Sequence, residues 1–332
     1  MQYWPKNGSV VVGTRNGLNT RKEESDMNCP PVMICGFNRP DCLKQVFERV
    51  REAKPSQLFL VLDAPREGRQ DDVEKNNACK KVFENIDWPC DVRHNYAEKN
   101  MGCRWRMTSA ISWMFEHVEY GIILEDDCIA DLTFFPFCAE LLEKYKDNER
   151  LGGVCGYSEH DDFVRHPVRC GADYYFDRLN TCCGWATWRR AWNSFDKEMA
   201  LWPERKAKRV FGKICRSRRE ERQIESMVDY VYEGKCSSWA TCWWVSALAN
   251  DFLFAHSVNS LISNIGFGAD ATHTNYTGKS IVRSTMPVKF PIAHPEKVEP
   301  NLKVERFMVT TRYAVPYWRR VLSKIKRMML TK

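Results

Sequence analysis

Three adjacent carboxylates, Glu125-Asp126-Asp127, close the apolar run 120–124. Like charges this close repel, so at the end of a buried strand they cost stability unless a cation or hydrogen-bond donors offset them. Mg2+ and Mn2+ prefer carboxylate and phosphate oxygens. A divalent cation here could bridge the protein to a diphosphate and stabilise a leaving nucleoside diphosphate as negative charge builds. The bland alternative is a solvated turn with an acidic run. Two further apolar stretches end in polar, ligand-ready residues: 32–37 runs into Asn38-Arg39-Pro40, and 58–62 into Asp63. Gly184-Trp185 offers different chemistry. An indole presents a flat face and an N–H to a sugar ring, and a neighbouring glycine lets the backbone approach.

The elements that must position these groups alternate. Residues 32–37, 58–63, 90–96 and 120–127 read as strands, and 72–86 and 104–118 as helices. Another helix is expected after the first strand, where Cys42, Leu43, Val46, Phe47 and Val50 recur at helical spacing and Asp41 is its cap candidate. This is the pattern of βαβ units: an α/β fold with a mainly parallel, Rossmann-like sheet in three αβα layers. Ligands gather beyond the carboxyl ends of such strands, so three polar strand ends in succession point to a nucleotide site. A helix at 134–145 and a strand at 152–157 follow. Trp185, Trp188 and Trp192 fall on one helical face; Trp188 and Trp192 read as core and Trp185 as ligand-facing.

The bulk properties narrow the classes. At 332 residues the chain can bury a full core. No stretch reaches the roughly 18 to 20 apolar residues of a membrane span, and residues 1–29 read as a polar, poorly ordered leader. The fifteen cysteines lie on apolar faces and include no C-x2-C pair, so neither a disulfide framework nor structural zinc is expected. Net charge is +7, and residues 312–332 hold seven Lys/Arg and no acid. The rest is near neutral, which argues against nucleic-acid binding. The run 205–222 reads as a solvated basic helix face. In the tail, Trp318, Val321, Leu322, Ile325, Met328 and Met329 share one helical face. Two readings stand: a peripheral helix at an anionic membrane surface, or a C-terminal helix docked on its own domain. The expected compartment is the cytoplasm.

Four motifs, ICGFNRPD, IILEDDC, CGWATWRRAW and SNIGFGADATHT, together resemble bacterial and viral GT-A glycosyltransferases and, more distantly, N-acetylglucosaminyltransferase I. The resemblance spans about 31 to 275. It implies that Asp127 ligates Mn2+ (or Mg2+), with His273 as a late metal or diphosphate ligand. Glu125 and Asp126 would contact donor sugar and ribose, with Asp126 and Asp127 as the catalytic pair. Phe37, Asn38, Arg39 and Asp63 would hold base and ribose, and Arg104 would lie near the diphosphate. Gly184, Trp185, Trp239 and Trp243 would line the acceptor side. One departure stands out. Where the family reads W-D-x-x-W, with the aspartate as acceptor base, this chain has Ala240; Thr241 and Cys242 differ too, which favours natural divergence. Asp229 and Asp251 are the remaining base candidates.

The expected organisation is a leader (1–29), a nucleotide-sugar half (30–130), an acceptor half (131–275) and an extension with the basic helix (276–332). The implied reaction moves a sugar from a nucleoside diphosphate, UDP before GDP, to a glycan or lipid-linked hydroxyl acceptor. Two rivals remain. One is a nucleotide-sugar-binding pseudoenzyme, kept open by Ala240. The other is a sugar-1-phosphate nucleotidylyltransferase, disfavoured because CGFNRPD lacks a Gly-rich basic loop.

Overall fold

The computed structural model describes residues 29–158, 171–266 and 284–315. The expected leader up to residue 28, the segment with Gly268 and His273, and the residues from 316 onward lie outside them.

The first half follows the expected alternation: β1 (Val32–Gly36), α1 (Pro40–Ala53), β2 (Gln57–Leu62), α2 (Gln70–Phe83), β3 (Asp91–Tyr96), α3 (Gly102–His117) and β4 (Tyr120–Glu125). Every residue of β1 is buried, as suits a central parallel strand covered on both faces. Its pleat divides the side chains between two cores. Val32 and Ile34 join Leu58, Leu60, Ile122 and Leu124 under Phe47 of α1 and Phe83 of α2. Met33 and Cys35 join Phe59, Val61 and Ile123 under Met107, Ile111 and Met114 of α3. Helix, sheet and helix therefore form three layers.

The start of α1 differs from expectation. Asp41 lies in the first turn, Arg39 takes the cap position with no side-chain cap, and Pro40 opens the helix. Proline suits that position because its missing N–H would have no partner there. It also keeps the preceding residue out of the helical region, and Arg39 has φ −120°.

The second half contributes β5 (Cys128–Ala130), α4 (Phe134–Lys144), β6 (Leu151–Cys155), β7 (Tyr174–Asp177), β8 (Trp185–Trp188), α5 (Arg189–Trp192), α6 (Trp202–Ala207), α7 (Arg218–Tyr232), α8 (Trp239–Ala249), β9 (Leu253–Ser257), β10 (Ile262–Asn264) and α9 (Leu302–Met308). One eight-stranded sheet runs β3-β2-β1-β4-β8-β6-β9-β7, so strands from both sides of residue 130 share it. β8 is antiparallel to β4 and to β6. β5 and β10 form a separate antiparallel ribbon.

Three expectations are corrected here. Residues 185–188 are a strand, so the pleat puts Trp188 in the core on one face of the sheet and Trp185 in the core on the other. The basic run 205–222 is divided among α6, a 3-10 turn (Val210–Lys213) and the start of α7. Arg209 and Arg218 in it pair with the buried Glu221. Finally, α9 lies where no periodic signal was read. It is fastened by Arg178–Glu305 at 2.6 Å and Arg306–Glu220 at 2.5 Å, and a third core joins it to α7 and α8. All fourteen described cysteines are free thiols. No described helix is long and apolar enough to cross a membrane.

Candidate functional site

The chain leaves β1 outward to β2 and β3, then returns to place β4 on the other side of β1. The carboxyl ends of β1 and β4 therefore flank the point where strand order reverses, which is where open α/β sheets form their ligand crevice. Arg39 emerges from the first end and Asp126-Asp127 from the second.

Arg39 is the countercharge of the acidic cluster. Its guanidinium pairs with Asp126 and, at 3.0 Å, with Asp127. Asp126 is nearly inaccessible, whereas the Asp127 side chain is 15% exposed. Burial pushes the Asp126 carboxyl up to about 6, Arg39 opposing and Asp127 adding to the rise. Burial, with Asp127 next in effect, also raises the Glu125 carboxyl well above its usual range. Burial disfavours the Arg39 cation, but Asp126 and Asp127 outweigh it and hold the guanidinium firmly charged. The expected contact of Asp126 with donor is corrected accordingly: its carboxylate is buried against Arg39.

The turn is fixed from below by the β5–β10 ribbon. Ile265 N–H donates to the Asp127 carbonyl at 2.9 Å, and Cys128 Sγ–H to Asp127 Oδ1 at 3.4 Å. Gly266 lies directly over the carboxylate. A β-carbon there would stand 2.8 Å from Asp127 Cγ and 3.0 Å from Arg39 Nη1. Cys128 also hydrogen-bonds Cys183, and that bond is the main reason the Cys183 thiol is held low. The Arg312 guanidinium is close enough to favour the Cys183 thiolate as well. Sequence reasoning missed Cys128, Cys183 and Arg312, for which no local signal existed. It named Gly266 without its contact to Asp127.

Do these groups suit a divalent cation? The donors are hard carboxylate oxygens, and Glu125 and Asp127 are both part-exposed. The Asp127 carboxylate lies close against Gly266, where a β-carbon would collide with it. Among the described residues, no three His, Cys, Asp or Glu side chains converge as a metal cage. Mg2+ commonly takes only one or two carboxylates and completes its shell with phosphate and water. The residues fit that kind of ion, with Asp127 and Glu125 as the protein's share. His273 lies outside the described residues.

The other predicted residues divide sharply. Asp63 is corrected: it is a strut. Its two oxygens accept from the backbone N–H groups of Ala64, Met101 and Gly102 and from the Asn100 amide, at 2.9 to 3.2 Å. Those four bonds use its acceptor capacity and pin the loop that starts α3. Arg104 donates to the Lys197 carbonyl at 2.7 Å and lies over Trp105, away from the acids' hydrogen bonds and ion pairs. Asp229 is held by Lys206 and Trp202, and Asp251 by Lys213.

The tryptophans are core. Trp185 is fully buried, stacked on Trp239 at 5.9 Å, with Trp243 at 6.1 Å. Its expected role as the ligand-facing indole is corrected, and Trp239 and Trp243 are as deeply enclosed. Gly184 has φ +63°, and a β-carbon there would press on Ile262 Cγ1 at 2.5 Å. It serves the packing of β10. Trp185→Ala is expected to cost about 3–5 kcal/mol of stability by leaving a cavity, read as a lowered denaturation midpoint. A variant of unchanged stability would return Trp185 to the surface.

The Phe37-Asn38-Arg39 loop is exposed in part and well braced. Asn38 donates to Asp72 at 2.7 Å, and Asn76 to the Phe37 carbonyl at 2.8 Å. The Arg66 guanidinium covers the Phe37 ring at 5.6 Å. Arg66, against the effect of burial and helped by Asn38, holds the Asp72 carboxyl well below its normal 3.8. Because the folded value is depressed, this stabilisation is present above the unfolded value and is lost as pH falls through the folded one. Asp72→Asn should cost about 1–3 kcal/mol at neutral pH. Urea melts should show the gap to the parent narrowing below about pH 4. A gap independent of pH would contradict the ion-pair account.

No protein-family model and no curated protein matches the chain. Among solved structures, a 4-diphosphocytidyl-2C-methyl-D-erythritol synthase from Anaerococcus prevotii DSM 20548 aligns over 53% of this chain and 78% of that one, with 12% identity and a TM-score of 0.30. A UDP-glucose pyrophosphorylase complexed with UDP-glucose aligns over 46% and 63%, with 9% identity and a TM-score of 0.26. Similarities at this level say nothing of substrate or reaction.

Proposed function

We propose that the chain is a metal-dependent glycosyltransferase that moves a sugar from a nucleoside diphosphate, uridine first among the candidates, to a glycan or lipid-linked hydroxyl. One observation carries the reading: Arg39, Asp126 and Asp127 meet where the ends of β1 and β4 flank the reversal of strand order. Glu125 and Asp127 are the proposed protein ligands of Mn2+ or Mg2+. When bound, the ion would supply positive charge to the diphosphate. Arg39 neutralises Asp126 and steadies Asp127, which leaves Asp127 and Glu125 as the part-exposed carboxylates of the cluster. The part-exposed Phe37 ring, with Arg66 over it, is the proposed platform for the base.

Nucleoside-diphosphate release from UDP-, GDP- and dTDP-sugars, measured with Mn2+, Mg2+ or EDTA, tests this directly. Release from one donor that EDTA abolishes supports transfer or hydrolysis and names the sugar. Absence of nucleotide binding with every metal would refute it.

Ala240 favours a second reading. It packs part-buried on the core, with no carboxylate at the position the resemblance assigns to the acceptor base. Asp229 and Asp251 are tied to lysines. A donor-binding module without turnover would bind nucleotide and metal in the same assay and release nothing.

A further inference from the structure

The outer face of α7 has no role in the site described so far. Arg219, Arg222, Gln223, Ser226, Met227 and Tyr230 recur at helical spacing along it. The opposite face, with Ile224, Val228 and Val231, is buried in the third core. Every acid of α7 already has a cation. Glu220 pairs with Arg306, Glu221 with Arg209, Glu225 with Arg218 and Asp229 with Lys206. Arg219 and Arg222 have no hydrogen-bond or ion-pair partner among the described residues. The helix therefore presents two uncompensated charges on one side.

Those charges border a groove. One depression of about 360 Å3 lies along Arg219 and Arg222. A second of about 540 Å3 continues past Met227 and Tyr230 to Ser238 and Thr241, and Gln223 and Ser226 line both. The chemistry changes along its length. Guanidinium groups occupy one end, and amide and hydroxyl groups the middle. Beyond them Tyr230, 53% exposed, offers a flat ring. Guanidinium binds carboxylate, sulfate or phosphate oxygens through paired N–H groups, and an exposed aromatic face suits the C–H side of a sugar ring.

The groove ends at Ser238, the cap of α8, and at Thr241, the two residues that bracket Trp239 and the part-buried Ala240.

We propose that the α7 groove binds an acidic glycan, the anionic portion of the acceptor chain, with Arg219 and Arg222 holding its charged groups and Tyr230 a sugar ring. This names the acceptor class for the transferase reading and rests on it.

The test uses the full chain, a heparin-derived hexasaccharide and a neutral maltohexaose, with binding followed by calorimetry at two salt concentrations. The sulfated probe should bind more tightly than the neutral one. Arg219→Ala with Arg222→Ala should weaken it by at least about tenfold, and Tyr230→Ala should weaken it to a smaller degree. Arg49→Ala with Arg93→Ala, an equal loss of charge elsewhere, should leave it unchanged. Equal loss in both double variants would reduce the effect to net charge and overturn the proposal. So would double-variant loss of binding to anionic-lipid vesicles that the hexasaccharide fails to compete. Donor release is measured alongside. Intact release without glycan binding refutes the groove alone, and glycan binding without nucleotide binding refutes the transferase reading alone.

Discussion

Asp127→Ala should remove metal-dependent nucleoside-diphosphate release, a fall of at least about 100-fold, while leaving the fold in place. The structure gives both halves of that expectation. Asp127 is a part-exposed acid of the cluster, and its carboxylate lies against Gly266. The Arg39–Asp126 pair persists without it, so no buried charge is stranded, and the loss of stability should stay near the 0–1 kcal/mol typical of a partly exposed ion pair. Asp127→Asn is the stricter variant, because it keeps the shape and removes only the charge. Release that survives both substitutions, in protein of normal thermal stability, would take Asp127 out of the chemistry and the metal with it.

Gly266→Val should be nearly as damaging for a different reason. A β-carbon at 266 falls within 2.8 Å of Asp127 Cγ and 3.0 Å of Arg39 Nη1. A short carboxylate can swing aside, so the protein should fold with a change of less than about 1 kcal/mol. The carboxylate would then be re-aimed. Displacements of about 1 Å in a reacting centre cost on the order of 100-fold in rate. kcat/KM measured with the donor found by the release assay should fall by that factor, with Gly266→Ala intermediate. Unchanged kcat/KM in the valine variant would mean that the aim of the Asp127 carboxylate does not matter to the reaction.

Much of this arrangement could be read before any coordinates. The central strands announced themselves because parallel strands buried on both faces are short unbroken apolar runs, as 32–36 and 58–62 are. The acidic cluster stood out because three like charges after such a run need an explanation. What failed did so for identifiable reasons. Trp185, Trp188 and Trp192 have helical spacing by coincidence, since a four-residue strand and a one-turn helix together imitate it. Asp63 resembled a ligand-ready strand end. Its actual partners are backbone N–H groups nearly forty residues away, and backbone donors leave no mark on composition. Arg39 was named, but its contact with Asp126 and Asp127 depends on which strands are neighbours. The insertion of antiparallel β8 beside β4 is likewise a long-range choice with no local signature. The seven-residue α9 is too short for periodicity to reveal.

The ribbon under the acidic turn has a consequence for how the protein comes into being. β5 follows Asp127 immediately, yet its partner strand among the described residues is β10, and Cys128 faces Asn264 across that pair. During synthesis β1 to β4 can emerge and pair long before β10 exists. Contacts so distant along the chain form late, because closing the intervening loop costs entropy first. A ribosome that stops before residue 262 would thus leave a fragment with all eight strands of its main sheet but without the clasp that holds the Asp127 turn. The acidic turn acquires its final posture only when the last strand of the ribbon has been made.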